Sequence, residues 1–440
     1  MVTSIHRGSL LHLRIALPLL MLCVFAAPVD AKNTQESLSL NQAISRTLAE
    51  NPQLHQFSIR KEGLLGLRTS SDFSPPIHVG IDVENFGGSG DRSGTNAMET
   101  TLALSSVIEL GSKRNARVSV ADARLNALEY HKQAFTLDVL GELTAVFVET
   151  LELQELANLA KEARDLAQKT RAIVQLRSNK GAAPESEIQR ATASLAQAQL
   201  QLDALLQQHE RNRIKLASYW GETSPQWHQL KGTLYSFGPQ PDFSELYQRA
   251  LSSPAIEVFA SESRLKTAEL QLAKTQSKVD ISWQVSVRRF EETGNSAFTA
   301  GMSIPLFSGK RNKGTVVAAM AERNEVEYKR QAALLRLHTQ LFDAYSQRQQ
   351  HIDAIKVYQN TVLPQLSAAL TSTQQAYENG RYSYQDWIAA QQALLRAKQA
   401  LIESATSAAL NQVLIEKLTG EQLTAEQLTA EQLTPEQYIR

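Results

Sequence analysis

Hydrophobic side chains recur every three to four residues along an almost unbroken stretch from Ser112 to about Trp220. This spacing predicts long helices with an apolar seam, and the turn-forming run from Asn179 to Pro184 predicts a break between two arms. The first arm holds about 65 residues, or roughly 100 Å of helix, far beyond the usual length of a globular helix. We therefore expect a helical hairpin that packs along other long helices. The seam residues are Leu125, Leu128, Leu140, Leu143, Phe147, Leu156, Leu159, Ala163 and Leu166, then Ile188, Ala191, Leu195, Ala198, Leu202 and Leu205.

A second copy of this hairpin follows at an offset of 199 residues. Gly181 corresponds to Gly380, and Glu187 corresponds to Asp386. A fixed period over a whole seam indicates an internal duplication, although two helices rich in Ala, Leu and Gln could also match by chance. The Gly-Glu pair that closes both copies favours duplication. Further matched positions are Ile188 with Trp387, Ala191 with Ala390, Leu195 with Leu394, Ala198 with Ala397, Leu202 with Leu401, and Gly221-Glu222 with Gly420-Glu421.

Between the helical regions the hydrophobic period changes to two residues, which is typical of strands with one apolar and one polar face. In each half a pair of such strands precedes the hairpin, and each strand is predicted to hold about 9–12 residues, enough to cross a bilayer when tilted. The apolar positions are Ile77, Val79, Ile81, Val83, Leu102, Leu104 and Ile108 in the first half, and Val279, Ile281, Trp283, Val285, Phe298, Ala300, Met302, Ile304 and Leu306 in the second.

Four strands cannot close a barrel, and an open strand edge is not tolerated in lipid. The strands must therefore pair with strands of other copies, and three chains would supply twelve strands, which lies within the range of outer-membrane barrels. The alternative is an ordinary sheet edge in a soluble protein. We expect a mixed α+β membrane protein, built from two repeats of a strand pair plus a long helical hairpin, whose strands form a 12-stranded β-barrel when three chains assemble.

This pattern divides the chain into successive segments. They are a signal peptide (1–31), short N-terminal helices (32–75), barrel strands 1 and 2 (76–110), the first long hairpin (111–221), a linker with short helices (222–277), barrel strands 3 and 4 (278–307), the second long hairpin (308–420) and a low-complexity tail (421–440) in which the motif EQLTA repeats.

The N-terminus carries the features of a secretory signal. Arg7 and Arg14 precede an apolar run, and cleavage is expected after Ala31. The only cysteine, Cys23, lies in that run and could instead accept a lipid, although Leu22 before it fits such a site poorly. The 45 basic and 45 acidic side chains balance, so nothing indicates the clustered basic charge of a nucleic-acid binder.

The residues that carry catalysis, cofactors or metals elsewhere show no matching pattern here. Gly309-Lys310 is followed by Arg311 rather than Ser or Thr, which excludes a phosphate-binding loop. The nine histidines lack the spacing of metal ligands. We therefore predict a protein that is not an enzyme and holds no cofactor or resident metal.

The order of elements over about residues 36–420 resembles the TolC-type outer-membrane efflux family. Residues 107–114, read as VIELGSKR, are similar to the strand-to-helix junction of the branch that serves heavy-metal cation pumps, usually xxELGGKR, with Ser112 in place of the second glycine. Residues 304–307 and 311–314 are similar to its second junction. The resemblance implies a homotrimer whose twelve-helix periplasmic tunnel docks onto an adaptor (membrane fusion protein) and an inner-membrane RND-type pump.

The resemblance also assigns roles to the two hairpin tips, which form the periplasmic aperture in this family. The gate candidates are Asp386, Tyr377, Glu187, Tyr382 and Arg381, and the tips that would contact the adaptor are Lys180, Gly181 and Ala182 together with Asn379, Gly380 and Arg381. Three copies of Asp386 around an axis would attract cations. Asp386 and Glu187 could equally be acids that stabilise the first turn of a helix. Ala389 stands where the family has a second gate acid.

These observations predict the outer-membrane exit duct of a tripartite pump that exports heavy-metal cations. One alternative is a duct of the same fold for drug efflux or type I protein secretion. The other is a soluble periplasmic coiled-coil scaffold or adaptor.

Overall fold

The computed structural model describes residues 37–239, 241–306 and 308–420. The predicted signal peptide with Cys23, and the predicted tail, lie outside the described residues. Within those ranges no helix is both long and apolar enough to span a membrane. The helices are α1 (Leu40–Glu50), α2 (Pro52–Ser71), α3 (Lys113–Asn179), α4 (Glu185–Ala217), α5 (Phe243–Leu251), α6 (Pro254–Gln276), α7 (Ser308–Arg311), α8 (Lys313–Val357), α9 (Leu363–Glu378) and α10 (Tyr384–Thr419).

Two long hairpins, α3–α4 and α8–α9–α10, dominate the helical part. Their central core is formed by small and branched side chains on facing helices, such as Val148, Leu216 and Ala405. The sequence predicts one helix from about Gly309 to Tyr377, but a π-helical turn at Tyr358–Val362 separates α8 from α9. Pro364 follows in the first turn of α9. Its missing N–H and its ring disturb the regular hydrogen-bond ladder, and a π-turn accommodates that disturbance.

The strands predicted in the two halves join into one antiparallel sheet. Its order is β2 (His78–Glu84), β3 (Glu99–Ile108), β5 (Ile281–Phe290) and β6 (Ser296–Ser303). The strands hold 7, 10, 10 and 8 residues, so the two outer strands are shorter than the sequence predicts. The outer edges of β2 and β6 pair with no strand that the structure describes.

The register gives the sheet one apolar and one polar face. Val79, Leu104, Val285 and Ala300 lie side by side across the four strands, and the apolar face stays exposed, with Phe298 at 91%. The opposite face carries polar and small residues such as Asp82 and Thr101. A soluble sheet would bury its apolar face, so this face requires an apolar partner outside the chain.

A small second sheet was not predicted from the sequence. Strand β1 (Ser37–Ser39) runs parallel to β4 (Gln229–Lys231), and three residues are too few to show a period. This sheet packs into the central core through Leu38 and Leu230. The guanidinium of Arg213 supports the loop before β4, since it lies 5.2 Å from the ring centroid of Trp227.

The junction between β3 and α3 contains two consecutive left-handed residues. Gly111 has φ 82° and Ser112 has φ 62°, which explains why a glycine is usual at the second position in the branch that the sequence resembles. Around this turn Lys113 Nζ lies 2.6 Å from Asp280 Oδ2, and Arg117 forms a bidentate pair with Glu109. The junction is therefore held by two ion pairs.

The second junction lacks the Glu–Arg pair. When SerLysArgAsn at 112–115 is aligned with GlyLysArgAsn at 309–312, Glu109 corresponds to Leu306 and Arg117 to Gly314. Both partners are replaced together, as expected for residues that act as a pair. The Asn312 amide there donates instead to the Ala273 carbonyl, at 2.7 Å.

The first prediction concerns this turn. Ser112→Gly should stabilise the purified protein by about 1 kcal/mol, because glycine carries no penalty for a left-handed backbone. Gly111→Ala should destabilise it by more than that, because the added Cβ would lie 2.1 Å from Lys278 Cδ as well as being strained. Thermal unfolding in detergent, followed by circular dichroism, measures both changes.

The control for this prediction is Gly66→Ala in α2, where a Cβ would meet nothing within 4 Å. It should leave the unfolding temperature equal or slightly higher, since alanine favours helix. Equal unfolding temperatures for Gly111→Ala and Gly66→Ala would contradict the assigned role of the turn.

Candidate functional site

The two hairpin tips are built in the same way. The Gly181 N–H donates to the Ser178 carbonyl at 2.8 Å, and the Gly380 N–H donates to the Tyr377 carbonyl at 2.9 Å. Ala182 and Arg381 likewise donate to the carbonyls five residues before them. This is the Schellman ending of a helix, in which the left-handed position favours glycine, and both glycines have positive φ. The two bonds of the first tip thus recur in the second at an offset of 199 residues.

The tips are packed together by an aromatic cluster, which we call the tip cluster. Tyr377, Tyr384 and Trp387 are buried with Val174 and Ala191. The rings of Tyr377 and Trp387 stack with centroids 4.9 Å apart. Since Val174 and Ala191 come from the first hairpin and the aromatic residues from the second, the cluster joins the two hairpins of one chain.

Two of the predicted gate residues meet at this cluster. The Tyr377 hydroxyl donates to Glu187 Oε2 at 2.7 Å. The pKa of Tyr377 is raised, first by burial and then by the hydrogen bond to the Glu187 carboxylate. The hydroxyl therefore stays protonated and remains a donor at any physiological pH.

Arg177 links the same elements and was not identified from the sequence. Its guanidinium lies 4.5 Å from the Tyr377 ring centroid. It donates to the carbonyls of Tyr377 and Glu378 at the end of α9, and to the Ala182 carbonyl of its own tip. A cation at the C-terminus of a helix is favourable because the last carbonyls lack partners there.

The duplication itself carried only a weak signal for Arg177. Its counterpart at the 199-residue offset is Ala376, and the counterpart of Tyr377 is Ser178. The arginine and the tyrosine therefore contact each other at two neighbouring positions that both differ between the copies. Most other tip positions differ as well, for example Lys180 from Asn379 and Ala182 from Arg381, so the difference alone does not single out Arg177.

Asp386 makes a different contact from Glu187, although both occupy the third position of their helices. The Ser383 N–H donates to Asp386 Oδ2 at 3.1 Å and the Asp386 N–H donates to Ser383 Oγ at 3.2 Å, which together form a capping box. The Ser383 hydroxyl also donates to Asp386 Oδ2, at 2.6 Å. These bonds lower the pKa of Asp386. The first tip has Pro184 at the capping position, with no side-chain cap, so Glu187 is left to accept from Tyr377.

The remaining predicted tip residues are on the surface. Lys180, Ala182, Asn379, Arg381 and Tyr382 are exposed, and Tyr382 retains 55% of its area. The structure does not bring Tyr382 or Arg381 to the Tyr377–Glu187 pair in any described contact. Among the described residues there is also no group of three or more His, Cys, Asp or Glu side chains arranged to hold a metal ion.

The sheet and the paired hairpins together form a known fold. The outer-membrane channel OprN superimposes with a TM-score of 0.73 and 18% identity, covering 87% of this chain and 90% of OprN. The fold is thus that of an outer-membrane channel. The chain belongs to the outer membrane efflux protein family, whose sequence model matches residues 43–222 and 248–421.

Two curated relatives match over most of the chain at low sequence identity. The cobalt-zinc-cadmium resistance protein CzcC of Cupriavidus metallidurans is 24% identical over 300 residues, which is 68% of this chain and 72% of CzcC. The pyoverdine export outer membrane protein OpmQ of Pseudomonas putida is 22% identical over 327 residues, which is 70% of this chain and 67% of OpmQ.

Membership of this family tests several of the predictions made from the sequence. The protein is an efflux channel of the outer membrane with a periplasmic helical part, and the family is one of ducts rather than enzymes. The predicted resemblance to TolC-type channels is confirmed. The alternative of a soluble periplasmic scaffold is wrong, because it would not belong to an outer-membrane channel family.

The second prediction concerns Arg177. Arg177→Gln removes the charge-assisted bonds to the end of α9, each worth about 1.5–3 kcal/mol, so the tips should open locally more often. We expect trypsin to cleave after Lys180 and Arg381 about tenfold faster in the purified variant. Mass spectrometry of the fragments measures the two rates.

The matched control is Arg171→Gln, which removes an equal charge and a trypsin site from an exposed position of the same helix. It should cleave at the wild-type rate. If the Arg177 and Arg171 variants are cleaved equally fast at both tips, Arg177 does not hold the hairpins together.

Proposed function

We propose that three copies of this chain form the outer-membrane exit duct of a tripartite pump that exports heavy-metal cations. In this proposal residues 76–110 and 278–307 supply a twelve-stranded barrel, and residues 111–221 and 308–420 supply the periplasmic tunnel. The partners are a periplasmic adaptor and an inner-membrane pump of the RND type. The cation is cargo, so the duct has to admit it without holding it.

The observation that carries the proposal is the two-faced sheet with open edges. Its apolar face is exposed along all four strands, including Val79 and Met302 at about 70%, as a lipid-facing surface requires. Its polar face would then line the lumen. The edges of β2 and β6 need partners in lipid, and equivalent edges of neighbouring copies can supply them.

The assignment of metal cations as the cargo rests on sequence similarity alone. The sequence match to CzcC and the ELGSKR junction support it. The match to OpmQ, a pyoverdine export protein, supports the alternative of a same-fold duct with a cargo other than metal cations. The fold serves either cargo, so only a measurement on living cells separates them.

The tips supply the proposed aperture. Three copies of Asp386 would surround its axis, with Tyr377, Glu187, Tyr382 and Arg381 beside it. The exposed tip turns, formed by Lys180, Gly181 and Ala182 and by Asn379, Gly380 and Arg381, would contact the adaptor. The Asp386 side chain is exposed, and the bonds from Ser383 lower its pKa, so it presents an ionised carboxylate at the tip.

The third prediction tests cargo and aperture together in a strain that lacks the gene. The wild-type gene should restore tolerance to cobalt, zinc or cadmium salts. Asp386→Asn keeps an oxygen that can accept from Ser383 but removes the charge, and it should lower the tolerated metal concentration by about twofold or more. Minimal inhibitory concentrations measure the effect at matched amounts of protein in the outer membrane.

Ser383→Ala is the control, because it removes the capping hydroxyl and keeps the carboxylate. It should support metal tolerance like the wild type. Equal losses for Ser383→Ala and Asp386→Asn would assign Asp386 to capping alone. Unchanged metal tolerance in the deletion strain, with increased sensitivity to organic compounds, would contradict the metal cargo and favour the alternative duct.

A further inference from the structure

Two adjacent arginines of β5 point to opposite faces of the sheet. Arg288 pairs in register with Thr101, and Arg289 pairs with Thr100. Successive side chains of a strand alternate between faces, so Arg288 lies on the polar face and Arg289 on the apolar one. Arg289 bonds to Glu291 at 2.9 Å near the end of the strand. The pair of arginines therefore provides the same charge on two different surfaces.

Arg288 is the centre of a hydrogen-bonded network on the polar face. Its Nη1 lies 2.8 Å from Glu99 Oε2, and its Nη2 lies 3.2 Å from Glu84 Oε2. Its Nε donates to Thr101 Oγ1 at 3.0 Å, and the Asn85 amide donates to the other oxygen of Glu99 at 2.8 Å. One guanidinium thus reaches across three strands and fixes two carboxylates.

The two carboxylates are placed against each other by the strand register. Glu84 and Glu99 are direct partners of β2 and β3, an arrangement that is unfavourable for like charges. Asp82 adds a third acid on the same face, directly opposite Thr101. Three carboxylates and one guanidinium leave this part of the polar face negative, and the guanidinium reduces the charge without reversing it.

The network lies at the end of the sheet away from the long helices. Strand β3 enters α3 after Ile108, whereas Glu99 is at its other end. Glu84 and Arg288 lie at the corresponding ends of β2 and β5. In the assembled barrel this end is the one next to the loops at 85–98 and 291–295, so three copies of the network would form one ring.

We infer that Arg288, Glu84 and Glu99 line the lumen of the barrel and set its preference between cations and anions. This inference rests on the proposed trimeric duct. A negative ring favours cations, but bare carboxylates facing one another would also retain them, and a conducting pore needs contacts weak enough for the ion to leave. Arg288 weakens the binding of cations at the ring, because its guanidinium already bonds to one carboxylate oxygen of Glu84 and one of Glu99.

The test is the ion selectivity of the purified channel in a planar bilayer under a KCl gradient. Arg288→Gln should raise the ratio of potassium to chloride permeability by about twofold or more, because the ring becomes more negative. The double variant Glu84→Gln/Glu99→Gln should lower the ratio below that of the wild type. Arg289→Gln removes the same charge from the apolar face and should leave the ratio unchanged.

The outcomes separate this inference from the proposed function. If the purified wild type does not assemble into a trimer that inserts into the bilayer, the duct itself is refuted. If the wild type conducts but Arg288→Gln and Arg289→Gln give the same permeability ratio, the network does not face the lumen and the inference is overturned. A lower unfolding temperature for Arg288→Gln with wild-type selectivity would likewise overturn it, and would make the network a cross-strand clamp only.

Discussion

The backbone hydrogen bonds of two edge strands constrain the whole molecule. Strands β2 and β6 each pair along one edge only with a strand that the structure describes. Lipid cannot form hydrogen bonds with backbone N–H and C=O groups, so in a membrane these edges would have to pair with strands of other subunits. The exposed apolar face of the same sheet adds a second requirement for lipid contact. In the proposed duct, assembly is therefore a condition for the barrel, and the helices that continue from β3 and β6 would assemble with it.

Duplication explains how one chain supplies two similar but unequal hairpins. The tip turns retain the same backbone bonds, since their geometry depends mainly on glycine. Their side chains have diverged in pairs. Pro184 in place of Ser383 leaves Glu187 available to Tyr377, and Glu109 with Arg117 gives way to Leu306 with Gly314. At the junction both members of a contacting pair are replaced, and at the tip one replacement changes the partner of an acid that both copies keep, so the repeats have specialised while the fold persisted.

Long periodic patterns were predictable from the sequence, and local arrangements were not. The hairpins and the two-residue alternation follow from repeated burial on one face. The β1–β4 pair is three residues long and shows no period. The π-turn before Pro364 is the way in which this helix adapts to the missing N–H of proline, and the sequence does not specify that adaptation. Arg177 was missed because a basic residue in a last helical turn is common. Its specific role depends on a partner 200 residues away.

Hydrogen exchange of the detergent-solubilised assembly tests the central claim most directly. If the edges are paired between subunits, the amides of residues 78–84 and 296–303 should be protected as strongly as those of the interior strands at 99–108 and 281–290. Rapid exchange confined to the two outer strands, while the inner strands stay protected, would show open edges and contradict the account.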